Sequence, residues 1–185
     1  MRTICRCALL IVLAIGVYGA SGASADEQQA QIADFYGSYE GATAADDAAD
    51  ASRRDLGVVI RPTNNGFNVT WSTSTRETDR GPARKTYSID FTRSGREGVF
   101  ASAMRKDLFG NPVPLDPFKG DPFVWAALRG KTLTVYALLI MEDAGYELQT
   151  YDRTLTDEGL HLEFSRIREG LHLKYVTGTL VRTGP

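Results

Sequence analysis

Between residues 66 and 72 hydrophobic and polar positions alternate strictly. Phe67, Val69 and Trp71 fall on one face and Asn68, Thr70 and Ser72 on the other, the period of two that half-buries a β-strand. The same period recurs where Tyr87, Ile89 and Phe91 alternate with Ser88, Asp90 and Thr92, and where Leu160, Leu162 and Phe164 alternate with His161, Glu163 and Ser165. Followed along the chain, it predicts strands at about 38–44, 56–62, 66–73, 84–92, 97–104, 122–129, 131–141, 146–155, 159–167 and 171–182. The run 133–141 is apolar on both faces in its second half, so a loop or the terminal helix should cover its outer side. Only 27–36 departs from this period. There Ile32, Phe35 and Tyr36 recur at helical spacing, which predicts a short amphipathic helix or turn ending at Gly37.

Four short connections marked by glycine have the composition of hairpin turns: Asn64-Asn65-Gly66, Ser94-Gly95-Arg96, Arg129-Gly130-Lys131 and Asp157-Glu158-Gly159. Three long, irregular ones at about 42–55, 74–83 and 105–121 fall between them in alternation. No helical stretch separates the strands, so neighbours should be antiparallel. In an up-and-down sheet successive connections lie at opposite ends. The expectation is therefore an all-β fold, an up-and-down antiparallel β-barrel of about 8 to 10 strands with a short N-terminal helix. Closure is favoured because it leaves no edge exposed, and the barrel should have one end of tight turns and one mouth of long loops.

Two of the long connections have a character of their own. Asp46, Asp47 and Asp50 lie in an Ala-rich segment that lacks the glycine and glutamate of an EF-type loop, so it reads as a solvated flap rather than a calcium site. The other, from Arg105 to Asp121, carries Pro112, Pro114 and Pro117 with Leu108, Phe109, Leu115 and Phe118. Prolines give it a defined course, and its apolar residues either line the mouth or pack over the outer wall.

The start of the chain has another purpose. Arg2 and Arg6 precede a short apolar core at 8–17, and Ala23-Ser24-Ala25 fits the small-x-small rule, so 1–25 reads as a signal peptide cleaved before Asp26. The apolar core is shorter than the roughly 20 residues of a membrane span. That leaves 26–185 as a single barrel domain in an exported, periplasmic protein. Cys5 and Cys7 both lie in the leader, ahead of the apolar core, which excludes disulfides and thiolate metal sites from the mature chain and argues against an acyl anchor. With 23 acidic against 21 basic residues, two of the latter in the leader, the mature chain is mildly acidic and has no basic block. Nucleic acid is therefore not an expected partner. The sequon Asn68-Val69-Thr70, inside a strand, reads as chance.

Gly37-Ser38-Tyr39-Glu40-Gly41 opens the first strand and Arg182 closes the last. This arrangement resembles that of the calycins, the superfamily of lipocalins, fatty-acid-binding proteins and avidins. Lipocalins carry Gly-x-Trp at the start of the first strand, covered by a basic side chain from the end of the barrel. Here Tyr39 stands in the tryptophan's place. The parity of the connections independently brings Tyr39 and Arg182 to the same closed end, where cation and ring can stack. The long first connection resembles the lipocalin lid, whereas the strand number is nearer that of fatty-acid-binding proteins, without the two helices those usually place between the first strands. The resemblance implies a lipocalin-like cavity open at one end.

Candidate chemistry is sparse. His161 and His172 stand between leucines on polar faces, without the companions that a base or a metal ligand needs, and read as exposed sheet histidines. No nucleophile elbow, P-loop or dinucleotide fingerprint is present. No catalytic residue, metal site or cofactor is assigned, and nothing argues for an enzyme. The aromatics say more. Phe67, Trp71, Tyr87, Phe91, Phe123, Trp125 and Tyr175 lie on the apolar faces of their strands, where they either fill a dry core or line a cavity. A barrel of about eight strands can already hold a small ligand, and a wider one is harder to fill, which favours the cavity. Trp71, Tyr87, Phe91 and Trp125 are the expected wall. Tyr151 and Arg153 share a face, and turned inward they resemble the groups with which fatty-acid-binding proteins hold a carboxylate, a polar anchor for the ligand. Tyr146 and Leu148 on the opposite face favour Arg153 pointing outward instead.

The expected function is periplasmic binding of a small hydrophobic molecule, such as a lipid, in an apolar barrel cavity. The alternative is a solid-packed barrel serving as a protein-interaction or structural envelope module, offering Phe109 and Phe118 to a partner. Stable membrane insertion is not expected. An outer-membrane barrel would show an apolar outward band and usually a terminal aromatic, whereas this chain ends Arg182-Thr183-Gly184-Pro185.

Overall fold

The computed structural model describes residues 29–45, 54–75, 83–103, 105–106, 109, 112–113 and 115–185. The leader, the first residues of the expected helix, the acidic flap with Asp46, Asp47 and Asp50, and most of the connection 74–83 lie outside the described residues. The alternating segments form β1 Gly37–Ala45, β2 Arg54–Thr63, β3 Gly66–Thr75, β4 Ala83–Arg93, β5 Val99–Ser102, β6 Arg105–Lys106, β7 Pro112–Val113, β8 Phe123–Arg129, β9 Thr132–Ile140, β10 Tyr146–Leu155, β11 Gly159–Arg168 and β12 Leu171–Gly184. All strands but β6 and β7, which pair with each other, make one closed antiparallel barrel of ten strands in up-and-down order, with β1 against β12 completing the ring. The connections alternate in parity. The turns at 64–65, 94–98, 130–131 and 156–158 share one end, and the long connections share the other with the short ones before β10 and β12.

The expected helix is corrected to a single 3-10 turn, Ile32–Phe35. The turn stops where Tyr36 turns extended and β1 begins to pair with β2 at Gly37. The carbonyls of Asp34 and Tyr36 accept from Arg182 Nη2 and Nη1, at 2.7 and 3.0 Å. Ala30 N–H donates to the Gly130 carbonyl and the side chain of Phe35 is fully buried, so the segment stoppers the end of the barrel. The stopper is latched by Tyr39, whose hydroxyl donates to the Phe35 carbonyl at 2.9 Å and whose ring lies 5.1 Å from the Arg182 guanidinium. Burial pushes the Tyr39 hydroxyl up in pKa, and Arg182 partly offsets this. Gly37, at φ +148°, is required by the same latch: a Cβ there would stand 2.9 Å from the Gly184 carbonyl. A closed ten-stranded barrel sealed in this way fits a calycin-like fold in general architecture.

Above the stopper the closed half is solid. Phe67 stacks on Phe91 at 5.2 Å and meets Phe100 edge-on at 4.9 Å, and Ile60, Val69, Leu133, Leu160 and Leu180 complete the packing. Each such buried side chain is worth about 1.5–3 kcal/mol of transfer free energy. Outside, β3 and β4 present a polar ladder in which Asn68 donates to Ser88 and Asp90 while Thr70 bonds Asn68 and Ser88. The outer wall of β8 and β9 differs: Trp125 stacks on Tyr136 at 4.8 Å, and a 3-10 turn, Pro117–Lys119, packs against β9. That turn covers part of the run whose two faces are both apolar. Because β5 is short, only Phe91, Thr92 and Arg93 of β4 pair with it. Among the described residues, 84–89 have β3 as their only neighbour, and 84–88 are exposed on both faces.

Candidate functional site

The site is built on the inner face of β10. The barrel register sets Arg153 between Leu133 of β9 and Leu162 of β11, both core residues, and alternation then turns Tyr151, Gln149 and Glu147 inward as well. Arg153 is 0 % exposed, so the expectation that it points outward is overturned. The misleading residues, Tyr146 and Leu148, do face outward, where they pair with Ile140 and Leu138 of β9 on the apolar outer wall.

Above this floor the mouth half of the barrel holds a cavity of about 320 Å³, walled by Leu56, Val58, Trp71, Tyr87, Tyr151 and Phe164. Phe164, Tyr151, Trp71 and Tyr87 form one chain of rings: 4.7 Å from Phe164 to Tyr151, 5.4 Å from Tyr151 to Trp71 and 5.4 Å from Trp71 to Tyr87. The Arg153 guanidinium lies 5.7 Å from the Trp71 ring and 5.8 Å from that of Tyr151, which together roof it. Among the described residues its only hydrogen bond is a long one, from Nη1 to the Tyr151 carbonyl at 3.4 Å. Nε and Nη2, the two donors along one edge of the fork, have no hydrogen-bond partner among the described residues. The neighbouring carboxylate, Asp152, is turned to the outer face, where it accepts from the Thr134 hydroxyl. Burial lowers the Arg153 pKa to about 10, which leaves it charged at neutral pH. The same burial pushes the Tyr151 hydroxyl up to about 12, against the pull of Arg153.

A polar rail climbs from this floor to the mouth. The Tyr151 hydroxyl donates to Gln149 Oε1 at 2.9 Å, Gln149 Nε2 donates to Glu147 Oε1 at 2.7 Å, and Glu147 Oε2 lies 3.3 Å from Arg166 Nε. The rail keeps Tyr151 oriented and leaves the guanidinium edge unused.

Of the residues singled out in the sequence, the structure brings four together: Trp71, Tyr87, Tyr151 and Arg153. Phe91 belongs to the packed closed half, against Phe67. Trp125 is not brought to the cavity. It alternates with the core residues Val124 and Ala126 and stands on the outer wall beside Tyr136, with Phe123 5.6 Å away. Tyr175 also faces outward and donates to Glu163. Sequence reasoning passed over Glu147, Gln149, Phe164 and Arg166. The signal was present in the period of two, since Glu147 and Gln149 share parity with Arg153, and Phe164 and Arg166 with Leu162. His161 lies 3.9 Å from Glu163, and His172 is exposed.

A scan against protein-family models and searches of curated proteins and of solved structures find no match to this chain.

Proposed function

We propose that this is a periplasmic small-molecule-binding protein of calycin type, which holds a largely apolar ligand in the mouth half of the barrel with an acidic group of the ligand on Arg153. The observation that carries the reading is the fully buried guanidinium with one donor edge unpartnered beside a cavity. Burying a cation without a counter-ion costs several kcal/mol, and two aromatic roofs offset only part of that. Between Leu133 and Leu162 an apolar side chain would fill the same space at lower cost. The unpaired edge is the one that grips a carboxylate through two parallel bonds, so an incoming acid finds the desolvation of its partner already complete. Its head reaches Arg153 by turning aside the Trp71 or Tyr151 ring, while Tyr87, Phe164 and Leu56 surround the apolar remainder. The leader read from 1–25 and the polar outer ladder of β3 and β4 support export without membrane insertion.

The experiment compares the protein with its Arg153→Met variant, using dodecanoate as probe and tryptophan fluorescence and thermal unfolding as readouts. The wild type should bind with a change in Trp71 emission and a raised Tm, since a ligand of the folded state stabilises it by mass action. Arg153→Met should weaken binding at least tenfold while keeping or raising stability, because a buried ion replaced by an apolar side chain of similar volume is often neutral or stabilising. A wild type indifferent to dodecanoate, with an Arg153→Met variant that is less stable, would make the cation structural. A second reading would then lead, a protein-interaction module, which the 89 % and 88 % exposure of Phe109 and Phe118 in the mouth loop favours.

A further inference from the structure

Among the described residues, the charged side chains that line the cavity are all of one sign. Lys85, Arg153, Arg166 and Lys174 line it and no carboxylate among the described residues does, in a chain with more acidic than basic residues overall. Glu147 pairs with Arg166 at the rim. These cations sit at two levels. Arg153 is at the floor. Arg166 pairs in register with Gln149 on one side and Lys174 on the other, and Gln149 is four residues up β10 from Arg153, about 13 Å at some 3.4 Å per residue. Lys85 stands across the mouth on β4, one alternation above the paired Trp71 and Tyr87. Between the two levels the wall is aromatic and aliphatic.

From this placement, and resting on the reading of the cavity as a ligand site, we infer that the ligand is acidic at both ends, an elongated apolar molecule with one carboxylate on Arg153 and a second at the rim among Lys85, Lys174 and Arg166. A molecule with a single acidic head would lay its apolar tail among cations and strip their water for no return. A diacid whose ends are about 13 Å apart, the separation of the two levels, pairs at both.

The test compares dodecanoate with dodecanedioate, matched in chain length and differing only in the second carboxylate, by titration of tryptophan fluorescence at low and at high salt. An ordinary apolar cavity with one anchor must leave the second carboxylate of the diacid poorly solvated and so favours the monoacid. The expected result here is the reverse: dodecanedioate several-fold tighter at low salt, a preference that shrinks as salt screens the rim. In a Lys85→Ala, Lys174→Ala double variant the ratio of the two affinities should fall to one or invert, and thermal unfolding of that variant without ligand checks that it is folded. If the wild type binds dodecanoate as well as or better than dodecanedioate, the second acidic end is wrong while the cavity reading stands. If it binds neither acid, both fail.

Discussion

Arg153 and Tyr151 share one buried corner, and burial moves their ionisations in ways that can be measured. The Tyr151 hydroxyl is pushed up to about 12 chiefly by desolvation, although Arg153 beside it pulls the other way. The folded protein therefore holds this proton more tightly than the unfolded chain, where tyrosine ionises near about 10. The contribution is fully present below pH 10 and is lost as pH rises through the folded value, so this tyrosine should be the last, or among the last, to ionise in the native protein. Near-ultraviolet absorbance during an alkaline titration follows each tyrosinate as it forms. The latest native step should vanish in Tyr151→Phe, and a titration unchanged by that substitution would place Tyr151 in water. Residues of this kind were half legible. The period of two paired Tyr151 with Arg153, but nothing in β10 alone told in from out, because its outward face carries Tyr146 and Leu148, which look like core.

At the scale of elements, the alternating strands appear where local patterning put them, with most boundaries shifted by one to two residues. Local signals suffice there because the pleat itself has a period of two. Element-level surprises arise where a partner outweighs the pattern. The N-terminal segment has helical spacing, yet pairing of β1 with β2 begins at Gly37 and Arg182, far along the chain, holds the carbonyls of Asp34 and Tyr36, and the described segment is a 3-10 turn. In β8 both parities are apolar, so the larger aromatics Phe123 and Trp125 were read as inward, whereas packing places the smaller Val124, Ala126 and Leu128 inside. The shortness of β5 has a dynamic consequence for β4. Among the described residues, 84–89 are paired on one side only, so amides of this stretch should divide into two classes by alternate position, those bonded to β3 exchanging slowly and those facing away exchanging fast. Hydrogen exchange read by NMR tests this. Uniform protection along 84–89 would mean that another segment covers the edge.

For the whole molecule, closure is the decisive event. The ring is completed by β1 against β12, and their contact carries the latch of Tyr39 and Arg182. A cation over a ring contributes about 0.5–2 kcal/mol, and here the same guanidinium also holds the stopper through two backbone carbonyls. Tyr39→Phe should cost less than Tyr39→Ala, since it keeps the ring and loses only the bond to the Phe35 carbonyl. The double variant Tyr39→Ala, Arg182→Ala should be more stable than the sum of the single losses predicts, with a coupling of about 0.5–2 kcal/mol in denaturant unfolding. Additive losses would show that the two side chains stabilise the closed end independently. On the proposed reading, affinity for dodecanoate should survive these changes far better than it survives Arg153→Met, because the latch and the cavity lie at opposite ends of the barrel.

The sequence by itself determined the strands, their antiparallel order, the separation of a tight end from a looped mouth, and the placing of Tyr39 and Arg182 at that tight end. All of these follow from local period and from the parity of successive connections, which need no knowledge of distant contacts. Only the tertiary structure decided which face of a two-faced strand turns inward. That choice belongs to the register of the closed ring, where each strand must match neighbours on both sides and the sum of packing over the whole barrel outweighs the size or polarity of any one side chain. It placed Trp125 outside, packed Phe91 into the closed half, and buried Arg153 between two leucines, where its unpaired edge gives the cavity its chemistry.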